Sequence, residues 1–345
     1  MLYLTIFVVP LLLALFLTPL VERVARRFGF LDYPREPRHL HEAPTPKLGG
    51  VALFVPFLIA IGLSLILLPL TLEARLDLPH ELRRLAGVIV GSLVVLLVGI
   101  YDDKRELSPW PQLLAQFLAA GVAILSGTVI YEIASPFGGL IRFPTWFAIA
   151  FTLFWLLGMM NTVNWLDGLD GLAAGITVIA SLIFFVHSNR LGQVSIALLP
   201  LALAGCALGF LPYNFYPARL FMGTSGALFL GFALGTLSII GGAKAATALL
   251  VLGIPILDVA WQIVNRLRQR RSPLRGDRGH LHHRLLDMGI SHRRVVLLFY
   301  LLCASFGGLA LLLPPGLYKL YALLVLGVVA VIVLFLAARE SQPPD

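Results

Sequence analysis

Charge is scarce in this chain: Asp, Glu, Lys and Arg together make up 13% of its 345 residues, about half the share of an ordinary water-soluble domain. That composition cannot clothe a water-facing surface, so a soluble globular fold is excluded. Cysteine is scarcer still. The two present, Cys206 and Cys303, both fall inside apolar runs, where a small side chain is accommodated, and they imply no disulfide framework. Long polar stretches are also missing: the longest, 21–47 and 263–293, are about thirty residues each, too short to fold alone. No Lys or Arg precedes the first apolar run, and Arg23, Arg26 and Arg27 follow it, so the run reads as a retained anchor and not as a cleaved leader. An internal repeat and a pair of interrupted helices are absent as well, which argues against an ion-coupled secondary transporter.

What the chain has in abundance is hydrophobic residues, 59% of the total. A bilayer core about 30 Å thick takes roughly 20 apolar residues per helix. Eleven such runs predict an all-α integral membrane protein with spans near 2–20, 48–70, 85–101, 111–129, 144–160, 169–187, 194–211, 225–240, 244–262, 294–313 and 317–338. The odd-numbered loops and the C-terminal tail hold 19 of the 26 basic residues and the even-numbered loops hold 7. Positive residues beside spans are retained in the cytosol. The N-terminus is therefore expected outside, and the C-terminus and odd loops (21–47, 102–110, 161–168, 212–224 and 263–293) in the cytosol, as parts of a single polytopic domain. The net charge of +8 sits beside spans and points to anionic membrane lipid, not to nucleic acid. Gly231, Gly235, Gly241 and Gly242 read as close-packing positions between helices.

Four of the odd loops carry groups capable of chemistry. The third opens with Asp102 and Asp103, adjacent carboxylates suited to binding Mg²⁺ or accepting a proton, or simply a solvated helix end. The fifth places polar groups at a spacing of three, Asn161, Asn164, Asp167 and Asp170, with Gly168 and Gly171 behind the aspartates and no basic residue. Such a spacing lines one side of a helix end and points to a cation or ligand site. The ninth runs from Arg266, Arg268, Arg270 and Arg271, read as membrane-face anchors, to Arg278, His280, His282 and His283, which suit phosphate oxygens. The first ends at His41 and Glu42 followed by Pro44, Pro46, Lys47, Gly49 and Gly50, an arrangement that stiffens the loop and presents Lys47 to an anion. Asp258, inside the ninth apolar run, is expected to face the bundle and pair with a polar neighbour, in a structural or a functional role.

With these motifs in order, the chain resembles the polyprenyl-phosphate N-acetylhexosamine-1-phosphate transferases, the family of the MraY, WecA and TagO enzymes. The stretches that carry the resemblance are Pro44 to Gly50, Asp102-Asp103, Asn161 to Gly171, Phe221-Met222-Gly223, Pro255 to Asp258 and Asp277 to Arg284. The last looks like the WecA and TagO branch, whose sugar is usually N-acetylglucosamine. The resemblance implies a UDP-N-acetylhexosamine donor, an undecaprenyl-phosphate-like acceptor, release of UMP, and Mg²⁺, for which Mn²⁺ can substitute. It places the enzyme in the bacterial cytoplasmic membrane at the first membrane step of a cell-envelope glycan, and is compatible with a homodimer without demanding one. It further implies that Asp102, Asp103 and Asp167 serve catalysis and that Asn164 ligates the metal. Lys47, Asn161, Asp170, Arg278, His280, His282 and His283 would bind substrate. One position departs from the pattern: where the family has Met-Gly-Asp-Ser, a metal-ligand Asp included, this chain has Met222, Gly223, Thr224 and Ser225. Thr224 supplies a hydroxyl without charge, so Mg²⁺ affinity is expected to fall unless Asp102, Asp103 or Asp167 compensates, which leaves three readings: the metal is held differently, the subfamily uses another strategy, or the chain is catalytically impaired and binds without turnover.

Overall fold

The computed structural model describes residues 1–34, 43–71, 78–241, 244–270, 279–314 and 316–340. The apolar runs are helical because a backbone that finds no water must satisfy its own N–H and C=O groups. In chain order the helices are α1 (Leu2–Phe28), α2 (Gly49–Thr71), α3 (Leu78–Arg105), α4 (Pro109–Leu125), α5 (Thr145–Leu166), α6 (Leu172–Arg190), α7 (Val194–Asn214), α8 (Gly223–Ile240), α9 (Lys244–Val251), α10 (Gly253–Arg268), α11 (Leu281–Asp287), α12 (His292–Leu312) and α13 (Leu317–Glu340). Eight of these, α1 to α3, α5 to α8 and α12, are long and apolar enough to cross a membrane, and the protein is a mostly helical, multi-pass membrane protein.

The structure departs from the predicted spans in three ways. The ninth run is not one helix: it breaks at Leu252 into α9 of 8 residues and α10 of 16. Pro255 explains the break, because it has no N–H to donate to the carbonyl of Val251 one turn earlier. Helices also run past the last apolar residue, α3 to Arg105 and α5 to Leu166. Asp102, Asp103, Asn161 and Asn164 therefore stand on closing helical turns and not in loops. Polar side chains do not end a helix; Glu106, with φ 50°, and the Asp167-Gly168 turn do. Finally, the described chain contains four short strands: β1 (Leu31–Asp32) pairs antiparallel with β2 (Thr45–Pro46), and β3 (Glu132–Ala134) with β4 (Leu140–Arg142).

α8 is the core of the bundle. Of its apolar window 83% is buried, against 28% for α1, and every residue from Ser225 to Ser238 is enclosed. It packs against α2, α3 and α5, while α7 packs between α1 and α6. Gly231 allows this closeness, since a Cβ there would lie 2.5 Å from the Met160 backbone, and Gly235 and Gly241 likewise face neighbouring side chains; Gly242 lies outside the described residues. The site is thus built at one end of a tightly packed central helix.

Candidate active site

At the end of the bundle where α3, α5 and α7 finish and α8 begins, the chain lines an open cavity of about 820 Å³. Lys47, Asp103, Asn161, Asn164, Asp167, Asp170, Thr224, His280 and His283 all contribute to its wall. Groups from five segments far apart in sequence therefore meet. Asp102 and His282 are buried but do not line it, and Arg278, His41 and Glu42 lie outside the described residues.

Asp103 receives the start of α8. The N–H of Thr224 donates to Oδ1 at 2.8 Å, and the N–H and hydroxyl of Ser225 donate to Oδ2 at 3.2 and 2.6 Å. A carboxylate at a helix N-terminus satisfies donors that have no intrahelical partner and meets the positive end of the helix dipole. Gly223 is required here twice over: its φ is +70°, and a Cβ would come within 2.6 Å of both Asp103 oxygens. Gly50 serves the same junction, because a Cβ on it would lie 2.6 Å from the Ser225 carbonyl carbon. The Gly pair after Lys47 is thus explained by packing of α2 against α8. Strand β2 continues the contact, with Phe221 N–H donating to Pro46 O at 2.8 Å and Gly49 N–H to Phe221 O at 3.1 Å.

Lys47 is held by an ion pair, its Nζ 3.1 Å from Oδ1 of Asp32, and Asp32 also lines the cavity. Asp102 points the other way, its Oδ1 accepting from Leu107 N at 2.8 Å and Gln112 Nε2 at 2.9 Å. It shapes the α3 to α4 turn. Asn161 forms a reciprocal pair with Gln116 of α4, its Nδ2 2.7 Å from Gln116 Oε1. Asp170 accepts from Ala218 N at 2.9 Å. Its backbone oxygen lies 3.3 Å from the Nε2 of His292, a ring stacked on Tyr216.

Asp167 differs from all of these: among the described residues no hydrogen bond or ion pair engages its carboxylate. Burial, then the nearby charges of Asp170 and Asp103, push its pKa well above the ordinary carboxylate value of 3.8. An acidic group strained in this way is relieved by a cation or a proton. Among the described residues no three His, Cys, Asp or Glu side chains form a preassembled metal cluster, yet the oxygen donors of Asn164 and Asp167 on one cavity wall fit a hard divalent cation.

The histidine segment closes the cavity from the α10 side. His280 caps α11 and bonds Asp258, which is buried as expected and finds its polar partner there. His282 is buried with both ring nitrogens unpartnered. Burial, followed by His283, His280 and His292, holds its pKa well below 6.5, so it is neutral. Gly168 makes room for it, since a Cβ there would meet His282 Nε2 at 2.6 Å. The anchor expectation fails for Arg266: it is 3% exposed, and its guanidinium lies 5.4 Å from the Trp165 ring centre. Arg268 and Arg270 are exposed, as anchors would be, and Arg271 lies outside the described residues.

Asp32, Gln116, Tyr216 and His292 line the cavity and were not distinguished by sequence. Only His292 carried a signal, its place after the helix-starting Ser291 and before two arginines.

Residues 85–242 match the model of the family described as Glycosyl transferase family 4. The chain is 35% identical, over 90% of its length and 84% of the relative's, to a Bacillus subtilis protein named probable undecaprenyl-phosphate N-acetylglucosaminyl 1-phosphate transferase. It is 38% identical to the decaprenyl-phosphate N-acetylglucosaminephosphotransferase of Mycolicibacterium smegmatis, over 83% of this chain and 76% of the other. With the phospho-N-acetylmuramoyl-pentapeptide-transferase of Desulforudis audaxviator it shares 33% over 85% and 91%. A cavity assembled at one end of a membrane bundle and matches of this length lead to one conclusion: the chain belongs to glycosyl transferase family 4, among the polyprenyl-phosphate N-acetylhexosamine-1-phosphate transferases.

Proposed function

We propose that this protein transfers N-acetylglucosamine-1-phosphate from UDP-N-acetylglucosamine to a polyprenyl phosphate such as undecaprenyl phosphate, releasing UMP on the cytosolic side of a bacterial cytoplasmic membrane. The observation that carries the proposal is the unpaired Asp167 carboxylate, set in one cavity with Asn164, Asp170, Lys47 and the histidine segment. Acidic oxygens for a cation and basic groups for phosphate share the space, which suits a reaction between two anions.

An oxygen of the lipid phosphate attacks the β-phosphorus of the donor. The bond from that phosphorus to the oxygen bridging to the α-phosphorus breaks, and UMP leaves with the electron pair. One pyrophosphate replaces another, so no further energy source is needed. A phosphate monoester is largely ionised at neutral pH, so the attack requires no strong base. Lys47 approaches phosphate oxygens while Asp32 fixes its Nζ. Asp103 sets the first turn of α8, and with it Thr224, against the cavity. Asn161, locked by Gln116, Asp170 and the residues His280 and His283 line the donor's place. Asp102 supports the turn that carries Gln112. Arg278 and His282 are assigned to the donor side, His282 as a neutral ring behind the wall.

Asn164 and Asp167, which share the cavity wall with Thr224, would hold Mg²⁺ or Mn²⁺, which would supply charge neutralisation at the reacting phosphates. Loss of the usual Asp at position 224 leaves the role of its backbone intact, because the Thr224 N–H still caps onto Asp103. That favours an active enzyme over a binding-only homologue. The topology that goes with this proposal is a single domain crossing the membrane eleven times, its N-terminus outside and its cavity at the cytosolic surface, where the acceptor's hydrocarbon tail holds the lipid phosphate. Purified protein with undecaprenyl phosphate, UDP-N-acetylglucosamine and Mg²⁺ should release UMP; absence of release with every UDP-N-acetylhexosamine tried would overturn the proposal.

A further inference from the structure

His280 stands between two helices with different duties. Its ring belongs to the cavity wall, and behind it, off the wall, lies Asp258 of α10. The His280 Nδ1 is 2.9 Å from Asp258 Oδ2, while the backbone N–H of Leu281 donates to Oδ1, also at 2.9 Å. Asp258 is 4% exposed and both of its oxygens are engaged. A carboxylate only accepts hydrogen bonds, so the imidazole hydrogen of this contact resides on Nδ1. Among the described residues no bond engages Nε2, which leaves that nitrogen for a ligand.

The ring has little freedom to turn. Trp165 packs against it with ring centres 5.8 Å apart, and His282 lies parallel to it at 5.5 Å. The backbone just before it is pinned as well: the Gly279 carbonyl accepts from Gln262 of α10 and from Arg284 Nε, the latter at 2.8 Å. α10 reaches this place only because the ninth apolar run is broken at Leu252, which starts a new helix six residues before Asp258.

We propose that Asp258 is a positioning residue. It holds His280 as the Nδ1–H tautomer and aims its Nε2 at the nucleotide-sugar donor. An orienting carboxylate of this kind acts through the ring it holds, and its loss typically costs about 10- to 100-fold. The consequence for rate rests on the transfer reaction proposed above; the state of the ring does not.

The test uses the substitution Asp258→Asn. The Asn carbonyl would keep the Leu281 N–H, so its amide group would face Nδ1 as a donor and force the hydrogen onto Nε2, the wrong tautomer. Nitrogen-15 NMR of the full chain in detergent at pH 8, with His280 assigned by its substitution, should show a protonated Nδ1 and a bare Nε2 in the unsubstituted protein. The pattern should invert in Asp258→Asn. Any other pattern in the unsubstituted protein overturns the inference, and this holds whether or not UMP is released. In kinetics, Asp258→Asn should lower kcat/KM for UDP-N-acetylglucosamine about 10- to 100-fold when His280 is present, and less than about 2-fold in a His280→Ala background. Equal losses in both backgrounds would mean that Asp258 does not act through His280.

Discussion

At the end of the bundle away from the cavity, arginines are placed on helix C-termini: Arg83 Nη2 donates to Leu125 O at the end of α4, and Arg190 Nη1 donates to Leu311 O near the end of α12, at 2.6 Å. Ser188 likewise donates to Gly241 O, and Ser195 to Glu81. At the cavity end the carboxylates Asp103 and Asp258 sit on the N-termini of α8 and α11. Both arrangements follow the helix dipole, cations at C-termini and anions at N-termini. The ends differ in what is left over. Beside the capping carboxylates of the cavity end stand an unpaired aspartate, Asp167, and a buried unpartnered imidazole, His282. Orphaned polar groups cost stability and occur at the far end too, at Arg84 Nε and Thr128 Oγ1 among others, but none of those is a carboxylate; an unpartnered acidic group on a cavity wall is what a cation-binding site requires.

Substitutions at the two ends should separate these roles. The largest effect is expected from Asp103→Ala, which strips the α8 N-terminus of three hydrogen bonds: UMP release should fall about 100-fold or more. Arg83→Ala, at the far end, should change it less than about 2-fold, because its one bond is to an exposed helix end. Comparable losses would erase the distinction. Next come two glycines of similar φ, +70° at Gly223 and +73° at Gly192. Gly192→Ala meets open space and should cost about 1 to 2 kcal/mol from backbone strain alone. Gly223→Ala should cost more and abolish UMP release, since its Cβ enters the Asp103 carboxylate; thermal unfolding in detergent with paired UMP assays measures both.

A smaller effect with a definite sign concerns Asp167. Its folded pKa lies above the unfolded value of 3.8. The relative stability it contributes is therefore complete below pH 3.8 and is lost as pH rises through the raised folded value, where the buried group must ionise. Asp167→Asn should accordingly raise the thermal midpoint at pH 8 more than at pH 4. Mg²⁺ should raise the midpoint of the unsubstituted protein at pH 8 and leave that of the variant unchanged. The smallest change is Thr224→Asp, which adds a carboxylate to the cavity wall and should tighten Mg²⁺ binding several-fold in a titration.

Much of this was legible in the sequence, and for physical reasons. Apolar runs of membrane length announce themselves, and eight of the described helices are long and apolar enough to cross a bilayer. Asp103, Asn164, Asp167 and Asp170 stood out because carboxylates and amides beside spans are costly without a purpose. What the sequence hid depends on distant pairing. Asp102 and Asp103 are neighbours in sequence, yet only the packing of α8 shows that one lines the cavity and the other bonds the α3 to α4 turn. Asp32 and Gln116 are ordinary residues until β2 and α5 bring Lys47 and Asn161 to them. Arg266 resembled its basic neighbours, and its burial beside Trp165 distinguishes it. The break at Leu252 was obscured by an unbroken apolar composition, although Pro255 gave the local cause.

The central claim is that the cavity moves a sugar together with its phosphate. UDP-N-acetylglucosamine carrying ³²P in the β-phosphate, given with undecaprenyl phosphate and Mg²⁺, tests this most directly. The account predicts that the label enters the lipid fraction in step with unlabelled UMP. Label recovered in UDP, or in water-soluble N-acetylglucosamine phosphate while the lipid stays unlabelled, would contradict it.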